Sequence, residues 1–192
     1  LRLASIAIAA STLLPAAPVA AGLLHHHDVA GTASRGPLGD PANDVQVIDL
    51  AVALGFDPGT PLTVIGIAWD VHLDTVEQSW YADAAFYLDD AGQPDGVGLF
   101  VRPGADDLEP GTQPRAYDSG GLIRLDDEGL PDLHLGDGRL RIEAWESYDD
   151  LIDATDAVWT QGTLTIEVAT VPAAPGTLLL AAAIGYRRRR RA

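Results

Sequence analysis

The chain of 192 residues predicts an all-β protein built as an antiparallel β-sandwich. Between residues 44 and 170, apolar residues alternate with polar ones in short runs, which is the pattern of strands with one buried face. Turn sequences rich in glycine, proline and aspartate separate these runs, and no amphipathic segment of helical length interrupts them. Seven or eight strands at this spacing are typical of a jelly-roll or immunoglobulin-like sandwich.

The first half of this region contains four predicted strands. The first covers residues 45–54 and ends at the Gly-Phe-Asp-Pro-Gly turn of residues 55–59. Residues 62–73, 79–88 and 97–102 follow as the next three strands, because each run contains β-branched or aromatic side chains. The alternation directs six residues of the second strand to the core: Thr63, Ile65, Ile67, Trp69, Val71 and Leu73.

The second half contains three predicted strands and one short extended segment. Residues 117–125 form a strand with a bend at the two glycines 120–121, and residues 133–135 lead into a turn. Residues 140–145 and 159–168 are the last two strands. Large aromatic side chains dominate the cores of such sandwiches, so we expect the four tryptophans to be mainly core anchors. They are Trp69, Trp80, Trp145 and Trp159.

The composition is strongly acidic and excludes several functions. The formal net charge is −16, there is no lysine, and residues 40–170 contain 27 acidic residues against five arginines. Such a surface repels nucleic acid, so we expect no nucleic-acid partner, and it suits calcium binding, halotolerance or simple solubility. The absence of cysteine excludes disulfides, thiol catalysis and thiolate metal sites.

Residues 22–43 predict a flexible linker, because they are rich in glycine, alanine, proline and serine and have little apolar periodicity. The linker contains the tract His25, His26, His27 and Asp28. Adjacent histidines in a linker lack the fixed geometry that selects a transition metal, so the interpretation as a polar patch is favoured over a metal site.

Residues 1–21 have the layout of a secretory signal peptide. Arg2 precedes an apolar stretch that ends at Pro15 and Pro18, and Val-Ala-Ala follows at residues 19–21. A charged start, a short hydrophobic helix and small residues at a cleavage site are the features that signal peptidase reads. The pattern predicts export through the Sec translocon and cleavage near Ala21 or Gly22.

Residues 171–192 combine a spacer, an apolar run and a block of positive charge. The spacer is Val171, Pro172, Ala173, Ala174, Pro175 and Gly176, and the charged block is Arg187, Arg188, Arg189, Arg190 and Arg191. Because adjacent like charges cannot be buried, this order predicts a short hydrophobic helix that enters a membrane and stops at the arginines. The run 177–186 gives a helix of only about 15 Å, and a basic amphipathic or disordered tail is the alternative.

This tail resembles the PEP-CTERM sorting signal of bacterial exported proteins, which has a Val-Pro-Glu-Pro-type motif, an apolar helix and a terminal arginine cluster. Here the motif lacks its central glutamate and two alanines separate the prolines. The resemblance implies cleavage by an exosortase, a membrane-embedded transpeptidase. It also implies a transient stage in the inner membrane, delivery to the cell surface or the extracellular space, and a structural or exopolysaccharide-matrix role without enzymatic activity.

The densest group of carboxylates predicts a calcium site in the loop that follows the 140–145 strand. Its expected ligands are Glu146, Asp149, Asp150 and Asp156, because hard oxygen ligands on a flexible loop are what calcium accepts. The spacing is not that of an EF-hand, and a plain acidic surface loop is the alternative. A weaker second candidate is the group Asp89, Asp90 and Asp95.

The alternative function is a carbohydrate-binding module, which would use exposed aromatic side chains and bound calcium. Its candidate residues are Tyr81, Tyr87, Tyr117 and Tyr148. A catalytic role has little support in the sequence. Glu143 and Glu146 are three apart on a predicted strand and so point to opposite faces, and no serine lies in a nucleophile-elbow motif. We therefore expect a protein that is not an enzyme.

Overall fold

A computed structural model describes residues 22–93, 97–111, 113–151 and 154–171. These residues form eleven strands and one helix of four residues. In chain order they are β1 (Leu23–Asp28), β2 (Thr32–Ser34), β3 (Val45–Asp49), α1 (Leu50–Ala53), β4 (Leu62–Thr75), β5 (Ala84–Asp90), β6 (Leu99–Val101), β7 (Arg115–Asp118), β8 (Ile123–Arg124), β9 (Leu133–Leu135), β10 (Arg139–Glu146) and β11 (Ala157–Thr170).

The strands form two sheets, and within each sheet every pair of neighbouring strands is antiparallel. The larger sheet has the order β1-β11-β4-β7, with β2 also paired to β11 and with β8 and β9 also paired to β4. The smaller sheet has the order β3-β10-β5-β6. The predicted antiparallel β-sandwich is therefore confirmed. Both predicted terminal helices lie outside the described residues.

The core lies between the sheets and is built from the alternating apolar residues of β4, β5, β10 and β11. Within it, the ring of Trp159 in β11 packs against the ring of Phe86 in β5, with centroids 4.1 Å apart. Of the four tryptophans, Trp159 is fully buried, Trp69 and Trp145 are half-buried, and Trp80 is exposed. The expectation that most of them anchor the core is thus wrong, because only Trp159 lies wholly between the sheets.

A β-bulge in β4 changes which of its residues face the core. Glu167 pairs with Gly66 and Val168 pairs with Val64, so Ile65 is an extra residue in the strand. Since successive side chains alternate, one extra residue reverses the phase. Leu62 and Val64 are therefore buried in the core cluster instead of the predicted Thr63 and Ile65, whereas Ile67, Val71 and Leu73 face it as predicted.

Two predicted strands, 45–54 and 79–88, are shorter in the structure, and one predicted bend is present. The first ends at Asp49, whose side chain accepts a hydrogen bond from the Val52 amide (2.9 Å) and caps α1. The strand predicted at 79–88 begins only at Ala84, because the residues before it form turns and a bridge to the 107–110 segment. The predicted bend at the glycines 120–121 is confirmed, since both have positive φ and separate β7 from β8.

The prediction of a flexible linker over residues 22–43 is wrong, because β1 and β2 are both strands paired to β11. The segment after β2 is fixed by side chains: the amide of Arg35 donates to Asn43 Oδ1 (2.9 Å), and the amide of Gly39 donates to Glu143 (2.6 Å). The side chains of β1 are exposed or half-buried, so the strand shows no hydrophobic alternation in the sequence. Main-chain hydrogen bonds to β11 hold it in the sheet instead.

The two ends of β11 define the two ends of the sandwich. At one end Leu23 pairs with Val168, so the first and last strands of the described chain lie side by side. At the other end Ala157 pairs with Thr75, beside the loop that joins β10 to β11. Thirteen steps of a strand separate Ala157 from Thr170, which is roughly 40 Å. We call the second end the loop end.

Candidate functional site

The loop end brings together three connections that are distant in the sequence. The β10–β11 loop is fixed where Ser147 donates its amide to the Asp83 carbonyl (2.9 Å) of the β4–β5 connection. Val76 of that connection donates its amide to the Asp156 carbonyl (2.8 Å). The β6–β7 loop joins through the amide of Ala82, which donates to the Asp107 carbonyl (3.1 Å). Main-chain hydrogen bonds therefore hold all three loops at this end.

Glu146 and Asp156, two of the predicted calcium ligands, are buried here, with 1% and 0% of their surface exposed. One oxygen of each is satisfied by a serine: Ser34 donates to Glu146 Oε1, and Ser79 donates to Asp156 Oδ1 at 2.8 Å. The second oxygen of each, Glu146 Oε2 and Asp156 Oδ2, has no hydrogen-bond partner among the described residues. The same holds for Asp149 Oδ1.

The electrostatics of this group favour loss of negative charge. Burial raises the pKa of Glu146 to about 9, against the opposing hydrogen bond from Ser34 and with further repulsion from Asp156 and other carboxylates. Burial also raises the pKa of Asp156, against the hydrogen bond from Ser79 and with repulsion from Asp149. The pKa of Asp150 is raised by burial and by the neighbouring carboxylates of Asp83 and Asp149. The carboxylates thus form one interacting group.

Across the described ranges, no three or more histidine, aspartate or glutamate side chains are positioned to hold a metal ion. The structure therefore brings the four predicted calcium ligands to one end of the sandwich without arranging them as a finished metal site. The second predicted group is not a candidate either. Asp89 faces Arg141 across the strand pair (3.4 Å), Asp90 accepts hydrogen bonds from backbone amides, and Asp95 lies outside the described residues.

The histidine tract does not converge on one point, because it lies in a strand. His25 and His27 share one face with ring centroids 6.3 Å apart, whereas His26 Nδ1 lies 3.0 Å from Thr165 Oγ1. His27 Nε2 lies 2.6 Å from Gln46 Oε1. These contacts fit a polar patch, but the patch lies in a strand paired to β11 and not in a flexible linker as predicted.

Beside the acidic group lies an open depression of about 400 Å³. Two aromatic side chains line it, Trp80 with 41% and Tyr148 with 67% of its surface exposed. Its other lining residues are Ala82, Asp83, Arg102, Leu108 and Asp150. We call this the Trp80–Tyr148 depression. An aromatic surface beside carboxylates and a guanidinium suits a ligand with both apolar faces and hydroxyl groups.

The four tyrosines predicted as a carbohydrate platform do not form one. Tyr81 and Tyr87 are buried, and Tyr117 is half-buried and donates a hydrogen bond to Asp107 (2.7 Å). Only Tyr148 of the four is exposed, and the second exposed aromatic side chain in the depression is Trp80. Trp80 was not predicted as a site residue, because the sequence pattern placed it on the core side of a strand. The adjacent Tyr81 could have indicated this. Because neighbouring residues of an extended chain face opposite sides, Trp80 and Tyr81 could not both face the core.

A larger groove of about 680 Å³ lies around Trp69, Tyr117 and the 103–107 segment. Its carboxylate Asp107 is already engaged, because Arg115 donates two hydrogen bonds to it (2.5 and 2.6 Å). The Arg115 guanidinium also lies 4.5 Å from the centre of the Tyr81 ring. This cluster holds the β6–β7 loop against the sandwich, so its groups serve the fold.

The sequence-predicted terminal sites fall mostly outside the described residues. This applies to the signal peptide 1–21, to residues 172–176 of the sorting motif and to the arginine block 187–191. Val171 is described and follows the last strand, with 46% of its surface exposed. In the parts of the chain that the structure describes, no helix has the length and apolar character needed to cross a membrane.

No protein-family model and no curated protein matches this chain. It is similar to the structure of infectious bursal disease virus Gx strain, with 17% identity over 83% of this chain and 36% of that one, at a TM-score of 0.36. It is also similar to the Tobacco streak virus coat protein, with 14% identity over 88% of this chain and 99% of that one, at a TM-score of 0.30. The chain thus spans little more than a third of the first of these proteins, and both likenesses concern the fold alone.

Proposed function

We propose that this chain is an exported, non-enzymatic envelope protein whose residues 171–192 form a PEP-CTERM-type sorting signal. In this proposal the sandwich is cargo, and an exosortase-type transpeptidase cleaves the backbone near residues 172–176. The tail holds the protein in the inner membrane until then, and the released sandwich has a structural or exopolysaccharide-matrix role.

The observation that carries the proposal is the order of proline spacer, apolar run and arginine block, which begins where β11 ends. The geometry of the described ends supports it. Leu23 of β1 and Val168 of β11 are paired neighbours, and Val171 is exposed beyond them. The start of β1 and the end of β11 therefore lie at the same end of the sandwich, opposite the loop end. A tethered sandwich would direct its loop end away from the membrane.

The test compares the full chain with two tail variants expressed in a host that contains an exosortase. In one variant Arg187, Arg188, Arg189, Arg190 and Arg191 are deleted, and in the other they are replaced by lysine. The deletion removes the positive charge that stops transfer, so processing and delivery should be lost, whereas the lysine variant should keep its membrane stop. Intact mass and fractionation into membrane and medium report both results.

The matched control is Arg139→Gln, which removes an exposed positive charge from the sandwich and leaves the tail unchanged. It should be trimmed and delivered like the parent chain. If the chain without its five terminal arginines is still trimmed at the same bond and reaches the same place, the sorting hypothesis is wrong.

A second candidate function, carbohydrate binding at the Trp80–Tyr148 depression, is supported by the exposure of its two aromatic rings. Aromatic faces pack against the apolar faces of sugar rings, and the carboxylates and arginine beside them match hydroxyl groups. Trp80→Ala with Tyr148→Ala should weaken polysaccharide binding at least about tenfold. Val52→Ala, an exposed apolar change on α1, is the control. Unchanged retention of the double variant on host exopolysaccharide would remove this candidate.

A further inference from the structure

Three aromatic side chains form a second exposed aromatic position on the smaller sheet, and we call them the Phe100 group. Phe100 of the edge strand β6 packs against Tyr87 of β5, with ring centroids 4.8 Å apart. It also packs edge-on against Trp145 of β10, with centroids 5.6 Å apart. Phe100 has 53% of its surface exposed, whereas Tyr87 is buried and Trp145 is half-buried. The two inner rings therefore hold in place a ring that solvent reaches.

The Phe100 group lies on the face of the smaller sheet that points away from the core. Phe100 pairs with Tyr87, while the adjacent pair, Val101 and Phe86, belongs to the core cluster. Trp145 follows the core residue Ala144 in β10 in the same way. Because successive side chains of a strand point to opposite faces, the three aromatic residues share the outer face.

Polar side chains connect this group to the Trp80–Tyr148 depression. Arg102 follows Phe100 by two residues and Ser147 follows Trp145 by two, a step of about 7 Å toward the loop end. Arg102 Nη2 donates to Ser147 Oγ (3.3 Å), and Ser147 Oγ donates to Asp83 Oδ1 (2.6 Å). Arg102 and Asp83 also line the depression. Two exposed aromatic positions are therefore joined on one face by groups that form hydrogen bonds.

We propose that the Phe100 group and the Trp80–Tyr148 depression form one binding strip for an extended, neutral polysaccharide chain. The proposal rests on the second candidate function, carbohydrate binding at the depression, and extends that site along the sheet. Sugar rings offer apolar faces to aromatic rings and hydroxyl groups to the polar side chains between them. A chain of several sugars reaches both aromatic positions, whereas a single sugar or a disaccharide fills the depression alone.

The charges and the shape of the strip select this class of ligand. Asp83 and Asp150 line the depression, and the chain has a net charge of −16, so an acidic polysaccharide is repelled. A protein partner would need a broad apolar contact from which water is excluded. Here polar and charged side chains separate two small aromatic contacts, which fits a narrow chain better.

The primary test is isothermal titration calorimetry of the full chain with cellobiose, cellohexaose, the chitin hexasaccharide and hexagalacturonic acid. At least one of the two neutral hexasaccharides should bind about tenfold or more tightly than cellobiose, because a ligand attached at one position meets the second at high effective concentration. Hexagalacturonic acid, which has a carboxylate on every sugar, should bind about tenfold or more weakly than the neutral chain.

The decisive variant is Phe100→Ala, whose side chain is exposed, so that circular dichroism and Tm should match the parent chain. It should weaken binding of the neutral hexasaccharide by about fivefold or more and leave cellobiose binding unchanged. Phe100→Tyr keeps the aromatic ring and should bind like the parent. Trp80→Ala should weaken both ligands. The matched control is Val47→Ala, an exposed valine of β3 on the outer face of the same sheet.

The outcomes separate this inference from the function on which it rests. If Phe100→Ala binds the hexasaccharide like the parent while Trp80→Ala does not, the depression binds sugar and the extended strip is wrong. Equal affinity for cellobiose and for the hexasaccharides also overturns the strip, and tight binding of hexagalacturonic acid overturns its preference for neutral chains. If neither neutral hexasaccharide binds the parent chain, the strip and the carbohydrate function are both rejected.

Discussion

Replacement of Trp159 by alanine tests the sandwich core most directly. Trp159 lies in β11 of the larger sheet, is fully buried, and contacts Phe86 of the smaller sheet with a 4.1 Å separation of ring centroids. The substitution therefore removes the largest side chain that joins the two sheets. Both strands are central in their sheets, so the surrounding side chains have little freedom to fill the cavity.

The expected cost follows from the area that the indole buries. A buried tryptophan removes about 200 Å² from water, which at about 25 cal/mol per Å² is worth about 5 kcal/mol. The unfolded chain already hides part of that area, so this figure is an upper limit. Substitutions of buried tryptophan by alanine cost about 3–5 kcal/mol, a large share of the 5–15 kcal/mol by which domains are stable.

Urea unfolding followed by far-ultraviolet circular dichroism measures this cost without relying on the fluorescence of the deleted residue. Trp159→Phe should cost less than half as much, because it keeps an aromatic ring against Phe86. Trp80→Ala, an exposed tryptophan in the same chain, should cost less than about 1 kcal/mol. If the two alanine variants lose similar stability, the assignment of Trp159 to a core between two sheets is wrong.

Two further predictions concern charged groups. Arg124→Ala should lower the free energy of unfolding by about 1–2 kcal/mol, because it removes the ion-pair partner (2.9 Å) of the buried Glu167. The double variant Arg124→Ala with Glu167→Gln should recover most of that loss, because it also removes the buried charge. Urea titrations measure both changes. Burial tends to raise the pKa of Asp107, but hydrogen bonds from Arg115 and Tyr117 outweigh it, and the pKa lies below its usual value. The stability that Asp107 contributes is therefore present above its unfolded pKa of about 4 and is lost as pH falls through the lower folded value. Asp107→Asn should make the dependence of Tm on pH flatter between about pH 2 and 5, which thermal unfolding at several pH values measures.

Strands with both a strong apolar alternation and clear turns could be predicted well. β4, β10 and β11 lie where the sequence placed them, because alternation and flanking turn residues are local properties. The phase of β4 could not be predicted, since the extra residue Ile65 exists only relative to the register of β11. β1 was missed for a related reason. It is an edge strand held by main-chain pairing with β11, and its mostly exposed side chains have no apolar alternation that would predict a strand.

The candidate site was predicted in part. The acidic residues after β10 were recognised as a group from their density, which is visible in one stretch of sequence. The sequence did not show that Glu146 and Asp156 are buried while Asp149 and Asp150 are half-buried, because burial depends on segments distant in the sequence. The serine that donates to Glu146 is 112 residues away in sequence, and the serine that donates to Asp156 is 77 residues away. Trp80 was assigned to the core for the same lack of tertiary information.

Local patterning was thus enough to determine an acidic all-β chain with turns at defined places, since alternation, turn chemistry and charge are properties of neighbouring residues. Tertiary packing alone decided that Glu146 and Asp156 are buried at the loop end, that Trp80 and Tyr148 share a depression, and that the first and last strands meet. Each of these depends on which distant segments pair across the sheets, and that pairing sets the burial that gives a carboxylate or a ring its chemistry.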